Sequence, residues 1–440
     1  MAGLKEKFLL NIAFPLADFV MGTSAMKWFR QIKRMEKWSP EEIKAWQLEK
    51  LKLLVAQAYN HTVYYREIFD KLGLKPSDIN NFDDLKKLPT LTKNIVRERF
   101  NDFIPDNQKK FKSRYGSTGG STGTPFKYMF DADDWGYGAA YKIFCWKKTP
   151  YKYGDMFISL GSSSLFPVNK KSIIHEIYYR LRNTIPLNGM NMDDDVCEKY
   201  IQIIKKYNVK YIYGYASAIY LLALYSKKKS YDIQMKSVFT TSEKLTPEYR
   251  EVIEKTWKVK VMDCYGSRDG GLTAYEVNRG CFNLGYNSFC EVKGSRKDEP
   301  SEILCTDLLR MGFPMFRYEI GDEVVIIEDK EKYNGQIIKE LIGRTSDIIR
   351  FENGRQLTTS GFNSMFRTFN IKAFRIMKKD NHTLKIEIQK TENYSDDEEK
   401  LIIQTMKKHA GENIVIEIEY KENFQPLKNG KRTFFMNEMM

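Results

Sequence analysis

The sequence contains few of the residues from which disulfide scaffolds and zinc sites are built. It has six cysteines and four histidines in 440 residues, with no C-x-x-C pair and no H-x-x-x-H pattern. A disulfide framework or a spaced zinc site is therefore not indicated, and the cysteines are interpreted as reduced, mostly buried thiols. The sequence also lacks any apolar stretch of about 18 residues, so no transmembrane helix is predicted.

Charge of one sign is not concentrated in long runs either. The longest basic run is Lys227–Lys229, which is typical of a solvated face. Lysine and arginine number 71 against 57 acidic residues, which gives a net charge of +14, and hydrophobic residues make up 42% of the chain. These values indicate a globular protein of two or three domains. The cationic excess favours anionic partners, whether nucleotides, polyphosphates, nucleic acid or an acidic membrane surface.

The N-terminal segment Phe8–Met21 is apolar, follows Lys5 and Lys7, and is interrupted by Pro15 and Asp18. A signal peptide has a less interrupted apolar core and a cleavage site of small residues. We therefore expect an amphipathic helix that packs on the protein body, with contact between this segment and a membrane surface as the alternative. The expected location is the cytoplasm, with the inner face of the membrane as its alternative.

The order of predicted elements indicates two domains. Residues 1–110 are predicted to be mostly helical, and the capping box Ser39–Glu42 marks one helix start. Strands and helices then alternate, which is typical of a parallel or mixed sheet that binds ligands at the carboxyl ends of its strands. The last hundred residues follow a β-β-α-β pattern, and their helix starts at a second capping box, Ser395–Glu398. We predict a large domain over 1–342 and a small α+β domain over 343–440.

The strongest local motif is the segment Ser117–Pro125, which is rich in glycine, serine and threonine and is followed by Lys127. Glycines allow backbone N–H groups to converge on an anion, and the hydroxyls add donors. No G-K-[ST] follows the glycines, so the segment is not a Walker A loop. Taken alone, it predicts either a phosphate-binding loop or a flexible surface loop.

Four further motifs follow in order along the chain. Asp263–Asp269 puts carboxylates and an aromatic residue at the carboxyl end of a predicted strand, and Arg317–Asp322 predicts a turn that ends in a carboxylate. Gly343–Asp347 comes about twenty residues later, and Gly430–Arg432 follows a predicted strand near the C-terminus. Each motif alone is compatible with a surface turn, whereas their order and spacing together are specific.

Together these motifs resemble the phenylacetate–CoA ligase family of adenylate-forming enzymes, especially its branch associated with capsular polysaccharide. The glycine segment is similar to T-S-G-S-T-G-T-P, with T-G-G-S-T-G-T-P from Thr118, and Asp263–Asp269 is similar to D-x-Y-G-x-[ST]-E. Leu88–Lys93 adds similarity in the N-terminal half. The resemblance implies an α/β fold, with a large N-terminal domain of mixed sheets and helices and a small, mobile α+β domain at the C-terminus.

The resemblance also implies a reaction in which ATP and Mg²⁺ activate a carboxylic acid as an acyl-adenylate, after which the acyl group passes to coenzyme A or another acceptor. It implies a role in surface-polysaccharide biosynthesis and no nucleic acid partner. It assigns catalytic roles to Lys431 and to Asp269, which would also bind the metal. The other residues that it assigns are Thr118, Gly120, Ser121, Thr122, Gly123 and Lys127 for the phosphates, Ser242, Glu243, Asp263, Tyr265, Gly266, Asp322 and Arg344 for adenine and ribose, Ser346 and Asp347 for the hinge, and Tyr215 and Ala216 for the acyl pocket.

Three positions depart from the family pattern. Gly119 stands where the loop usually has serine, Ser346 takes the first acidic position of the hinge, and Arg268-Asp269 replaces [ST]-E. The carboxylate of Asp269 is shorter, and Arg268 could compete for it as an ion pair. Two alternatives therefore stay open. The acceptor could be an amino, hydroxyl or carrier-thiol group, or the chain could be a non-catalytic protein of the same fold that binds nucleotide or a membrane surface.

Overall fold

The structure is a computed structural model that describes residues 6–118, 126–161, 173–189, 192, 194–294, 299–329, 335–344, 348–350, 356–358, 366, 369–380, 382–422 and 435–437. Contacts divide these residues into two compact units. The first comprises the described residues up to 118, 126–320 and 324–341, and the second comprises 321–323 and the described residues from 342 onward. No helix in the described part of the chain has the length and apolar character needed to span a bilayer.

The N-terminal part of the first unit is helical, as predicted. The capping box at Ser39 is present, because its hydroxyl accepts the N–H of Glu42 and the Glu42 carboxylate accepts the N–H of Ser39. Leu9 and Phe14 are buried in the body, which confirms the expected packing of the first helical segment. After a π-helical turn at Leu9–Ala13, the helices are α1 Phe14–Met21, α2 Ala25–Met35, α3 Pro40–His61, α4 Val63–Lys71 and α5 Lys93–Glu98.

A mixed sheet of eleven strands forms the centre of the first unit. A separate antiparallel hairpin, β1 Arg114–Thr118 and β2 Phe126–Phe130, precedes it. The sheet order is β10-β11-β12-β13-β9-β8-β7-β6-β5-β3-β4, and β3 to β7 are parallel to one another. Its strands are β3 Phe157–Gly161, β4 Thr184–Asn188, β5 Tyr211–Tyr215, β6 Ser237–Thr241, β7 Val261–Ser267, β8 Leu272–Asn278, β9 Cys281–Leu284, β10 Ser288–Val292, β11 Ser301–Asp307, β12 Tyr318–Asp329 and β13 Gly335–Arg344.

Helices cover both faces of the parallel part of this sheet. Successive residues of a strand point to opposite faces. Accordingly, Tyr211 and Phe239 belong to one apolar core with Trp146, whereas Ile212 and Val238 belong to another. Trp146 stacks on Phe239 with ring centroids 4.2 Å apart. The covering helices are α6 Ala132–Trp146, α7 Ile173–Leu181, α8 Asp194–Tyr207, α9 Ala216–Lys228 and α10 Pro247–Trp257.

The second unit has its own small core. Ile386 and Ile388 of one strand pack with Ile402 and Met406 of helix α11 Asp396–Ala410. A four-stranded sheet of order β18-β17-β16-β19 provides the other layer, and the predicted β-β-α-β pattern is confirmed. The strands of this unit are β14 Ile348–Arg350, β15 Gln356–Thr358, β16 Ile371–Lys378, β17 Thr383–Lys390, β18 Val415–Tyr420 and β19 Phe435–Asn437.

The prediction of a turn at Arg317–Asp322 is wrong, because most of this segment belongs to a strand. The left-handed φ of +52° at Arg317 ends the loop, and β12 then continues from Tyr318 through Asp322, with a positive φ at Gly321. β12 lies between β11 and β13 in the sheet, and at its start Glu319 donates its N–H to the carbonyl of Leu91, which donates to the carbonyl of Arg317. The distant Leu91 segment supplies these partners, so the local sequence does not indicate them.

Candidate functional site

The turn between β7 and β8 carries the predicted catalytic carboxylate, Asp269. β7 ends at Ser267 and β8 begins at Leu272, so Asp269 follows the carboxyl end of a strand of the parallel sheet. Gly271 closes the turn with φ +71°, and a Cβ there would lie 2.0 Å from Asp307 Oδ2. A side chain at 271 would both strain the backbone and clash with Asp307. The path of the turn therefore requires glycine at that position.

The Asp269 side chain is buried and held by hydroxyl groups. Its Oδ1 accepts the Ser267 hydroxyl at 2.5 Å, and its Oδ2 accepts the Tyr318 hydroxyl at 2.8 Å. Lys93 Nζ lies 3.5 Å from Oδ2. Burial by itself raises the pKa of Asp269, but Lys93 and the two hydroxyls lower the pKa below its ordinary value. The carboxylate is therefore ionised at neutral pH.

Lys93 is a site residue to which the sequence analysis assigned no role. It begins α5, whose first turn is capped by the Thr92 hydroxyl, and its ammonium also donates to the carbonyl of Ile320 at 3.3 Å. The side chain is partly exposed, so the cation borders the site. The feature of the sequence that could have pointed to Lys93 was the similarity of Leu88–Lys93 to the family. Among the described residues, the ion pair of Asp269 is with Lys93, and the competing pair with Arg268 that the sequence left open is not formed.

Arg310 fixes the backbone of this turn and was missed by the sequence analysis. Its guanidinium donates to the carbonyl of Arg268 at 2.9 Å and to the carbonyl of Asp269, and its Nε donates to Asp134 Oδ2 at 2.7 Å. Burial opposes its charge, but Asp134 and Asp307 raise the pKa of Arg310 above its ordinary value. This cation therefore links helix α6 to the Asp269 turn inside the protein.

The hairpin of β1 and β2 brings the base of the glycine segment close to Asp269. The ring of Phe126, the first residue of β2, stacks on Tyr318 with centroids 6.0 Å apart, and Tyr318 is a hydroxyl donor to Asp269. Lys127 is exposed on β2 opposite Ser117. Thr118 ends β1, whereas Gly120, Ser121, Thr122 and Gly123 lie outside the described residues.

The predicted adenine-side turn contacts the segment predicted to line the acyl pocket. The Glu243 carboxylate accepts the N–H of Ser217 at 2.9 Å, at the start of α9, where a negative charge is favourable. Ser242 is exposed with φ +68°. Tyr215 and Ala216 are fully buried in the core between the sheet and α9, so the structure shows them as packing residues. Their role in an acyl pocket stays a prediction.

Asp263 is buried within β7 rather than exposed at its end. Its Oδ1 accepts the Thr240 hydroxyl at 2.6 Å and the N–H of Cys264 at 3.0 Å. Burial raises the pKa of Asp263 to about 7, against these hydrogen bonds. The neighbouring Tyr265 is half-buried, and a Cβ at Gly266 would lie 2.7 Å from the carbonyl oxygen of Leu272. The first residues of the Asp263–Asp269 motif therefore belong to β7, which pairs with β8 on the other side of the Asp269 turn.

The remaining assigned residues lie in the second unit or beyond the described residues. Asp322 is half-buried in β12, and Arg344 is the last residue of β13. Ser346, Asp347 and Lys431 lie outside the described residues. Their assignments stay predictions.

Lys142 of α6 is a second cation without a role in the sequence analysis. Its Nζ lies 4.9 Å from the ring centroid of Tyr213 and 5.6 Å from that of Trp146. Burial lowers the pKa of Lys142 to about 7, Arg182 and Arg268 act in the same direction, and Cys264 opposes them. Within the described residues, no carboxylate lies within 4.0 Å of this ammonium. Near neutral pH this buried amine is therefore only partly charged.

A divalent metal would find one anionic ligand here. The described residues contain no cluster of three histidine, cysteine or acidic side chains suited to a metal ion. Mg²⁺ in nucleotide sites is commonly bound by one or two carboxylates together with phosphates and water. Asp269 is ionised, and each of its oxygens keeps a lone pair beyond its hydroxyl bond. The carboxylate therefore fits a magnesium ion that a polyphosphate brings with it.

Comparison with known proteins gives matches to a family and to individual relatives. The family described as CapK C-terminal domain matches residues 349–438. The phenylacetate-coenzyme A ligase of Aromatoleum evansii is 25% identical over 337 residues, which cover 72% of this chain and 73% of that ligase. The phenylacetate-coenzyme A ligase of Escherichia coli K12 is 33% identical over 107 residues, which cover 23% of this chain and 24% of that ligase.

Solved structures support the fold. A 2-hydroxyisobutyryl-CoA ligase in the postadenylation state, in complex with R3-HIB-AMP, gives a TM-score of 0.69 at 16% identity over 91% of both chains. The same ligase in the thioesterification state, with 2-HIB-AMP and CoA, gives 0.58 at 17% identity over 90% of both chains. The predicted α/β fold of adenylate-forming enzymes is confirmed. The predicted resemblance to phenylacetate–CoA ligases is confirmed too, and with it the class of AMP-forming acyl-activating ligases.

Proposed function

We propose, because the chain is a relative of the phenylacetate–CoA ligases, that it activates a carboxylic acid with ATP and passes the acyl group to coenzyme A. In the first step a carboxylate oxygen bonds to the α-phosphorus and pyrophosphate leaves. In the second step the thiol sulfur bonds to the acyl carbon and AMP leaves. The observation that carries the proposal is the buried, ionised Asp269 at the base of the glycine hairpin, with Lys93 beside it.

Phosphoryl transfer depends on positioning and on neutralising charge more than on covalent help from the protein. The glycine segment and Lys127 would hold the β- and γ-phosphates, and Asp269 would hold Mg²⁺, which offsets charge on those phosphates when bound. Lys93 adds a fixed positive charge at the margin of this site. Lys431 would bring a further cation to the α-phosphate and the attacking carboxylate. The loss of such a preorganised group commonly lowers the rate by about 10²- to 10³-fold.

Carboxylate-dependent exchange of labelled pyrophosphate into ATP tests the first step. The full-length protein is assayed with a panel of aromatic, hydroxy and short-chain acids, and at least one acid should support exchange. Lys431→Ala should abolish the exchange while ATP binding persists, and Lys428→Ala is the matched control from the same segment. Equal exchange by these two variants would remove Lys431 from the mechanism. ATP binding with no exchange for any acid would favour the non-catalytic alternative.

The proposal also covers the acyl acceptor, the biological role and the cellular location. The similarity to coenzyme A ligases supports coenzyme A as the acyl acceptor. Identification of the product with coenzyme A present or absent distinguishes it from an amino, hydroxyl or carrier-thiol acceptor. A role in surface-polysaccharide biosynthesis is supported by the resemblance of the sequence motifs to the capsular-polysaccharide branch of the family. Cells that carry the Lys431→Ala variant should then lose acyl groups from that polysaccharide. We place the activity in the cytoplasm, at the inner face of the membrane, and the cysteines of the chain, which are all free thiols, support that compartment.

A further inference from the structure

The first helical segment buries one side and leaves a second apolar side in solvent. Leu9 and Phe14 are buried against the body. Large apolar residues on the other side recur every three or four residues, the spacing that places side chains on one helix face. This exposed stripe consists of Phe8 (53% exposed), Ile12 (57%), Leu16 (62%), Phe19 (85%) and Val20 (62%). A contiguous exposed apolar patch of this kind marks an interaction surface.

Cations lie at the end of this stripe. Arg114 donates a hydrogen bond to the carbonyl of Met21, the last residue of α1, at 2.6 Å. The side chains of Arg114 and Lys112 flank Gly22, which follows Met21, and both residues are exposed. Lys7 is exposed at the other end, next to Phe8. The apolar stripe therefore has basic residues at both ends.

The next helix extends the basic surface. Three residues separate α1 from α2, and residues 22–37 contain five cations, Lys27, Arg30, Lys33, Arg34 and Lys37, against one carboxylate, Glu36. A groove of about 570 Å³ borders this helix, and its lining includes the buried Trp28 and the half-buried Trp46. Its charged lining residues are Lys27, Arg30, Arg34 and Lys50, together with Asp133, which Lys27 pairs with at 3.2 Å.

We propose that the stripe and the basic residues around it dock the protein on an anionic phospholipid bilayer. Amphipathic helices of this kind lie in the membrane surface, with their apolar side chains at the boundary of headgroups and acyl chains and their cations on lipid phosphates. Trp46, which is half-buried beside the groove, is a residue type suited to the same boundary. A second copy of the chain is a poorer occupant, because it would bring the same cations, and a net charge of +14, to the interface.

Sedimentation with vesicles tests this proposal on the full-length chain. The vesicles are phosphatidylcholine alone or phosphatidylcholine with an equal amount of phosphatidylglycerol. The wild-type chain should bind the anionic vesicles at least about tenfold more tightly than the neutral ones, and high salt should weaken that binding. Leu16→Asp/Phe19→Asp should abolish it. The matched control is Leu72→Asp/Leu401→Asp, which adds the same charge at residues that are 47% and 51% exposed elsewhere.

The basic surface is tested in the same way. Arg30→Glu/Arg34→Glu should lower binding to anionic vesicles at least about tenfold, whereas Lys199→Glu/Lys206→Glu, on the distant helix α8, should change it little. All of these residues are exposed, so thermal unfolding should not shift. The proposal is overturned if wild-type chain does not bind anionic vesicles, or if both members of a variant pair bind alike. It is also overturned if ultracentrifugation shows a dimer that Leu16→Asp/Phe19→Asp dissociates, with no vesicle binding.

Discussion

Replacement of Arg310 by methionine should destabilise the large unit much more than the loss of a surface ion pair. Methionine keeps much of the side-chain volume and removes the charge. Arg310 and Asp134 form their ion pair at 2.7 Å with side-chain exposures of only 2% and 5%. Removing one partner of a buried pair leaves an uncompensated charge, which costs about 3–5 kcal/mol. Arg310→Met also leaves the carbonyls of Arg268 and Asp269 without this donor.

The chain offers a matched control for this substitution. Arg180 pairs with Glu176 at the same distance of 2.7 Å, but the two side chains are 78% and 65% exposed. Arg180→Met should therefore cost no more than about 0.5 kcal/mol. All six tryptophans lie between residues 28 and 257, so urea unfolding followed by tryptophan fluorescence reports on the large unit alone. The free energies of unfolding of the two variants are compared by linear extrapolation.

A second substitution distinguishes the cost of leaving a buried charge unpaired from the cost of lost packing. Asp134 accepts the Nε–H of Arg310 at 2.7 Å, whereas Asp307 Oδ2 lies 3.6 Å from the guanidinium, so Asp134 is the carboxylate that Arg310 contacts most closely. Arg310→Met/Asp134→Asn should consequently unfold at a higher urea concentration than Arg310→Met. The explanation fails if Arg310→Met is no less stable than Arg180→Met, or if the second substitution restores nothing.

Three other substitutions test the site and the buried carboxyls. Asp269→Asn should lower pyrophosphate exchange by about 10²- to 10³-fold, most of all at limiting Mg²⁺, and unchanged exchange there would show that the carboxylate is structural. Lys93→Met removes the cation that lowers the pKa of Asp269, so the acid limb of the pH–rate profile should move to higher pH, whereas Lys86→Met, at an exposed pair, should leave it in place. The pKa of Asp263 is near 3.8 in the unfolded chain and about 7 in the folded protein. Between these two pH values the folded state keeps a proton that the unfolded state has released, so the free energy of unfolding falls as pH rises from about 4 to about 7. Asp263→Asn should flatten this fall in urea unfolding measured at several pH values, and an unchanged slope would contradict the assignment.

The sequence predicted those features of the fold that depend on residues close together in the chain, such as helix starts. The capping box at Ser39 marked the start of α3, because a serine hydroxyl and a glutamate three residues later satisfy each other's backbone donors. The start of α10 is local too, because the Thr246 hydroxyl accepts the N–H of Tyr249 and Pro247 is the first helical residue. The position of Asp269 after a strand was predicted from the apolar segment that precedes it, and β7 ends two residues before it. These features depend on residues that are close in the sequence.

The rest depends on contacts between distant segments, and a single sequence does not indicate these. Arg310 reaches Asp134 across 176 residues, and no motif surrounds it. Lys93 lies in a recognised motif, but its partner became known only when α5 was placed beside the β7–β8 turn. The same limit explains the wrong turn at Arg317–Asp322, where Leu91 supplies the backbone partners. The sequence left open that Arg268 competes for Asp269 as an ion pair, whereas the fold brings Lys93 there.

The pairing of Lys93 with Asp269 limits what each can do for a triphosphate. Their charges offset each other at 3.5 Å, so together they add little net positive charge to the site. A magnesium-bound triphosphate still carries negative charge, and the entering carboxylate adds more as it approaches the α-phosphorus. Neutralising that charge requires a cation that the Asp269 turn does not already hold. Lys127, exposed on β2, can serve the terminal phosphates. The reacting carboxylate needs a further cation, and this is the role proposed for Lys431.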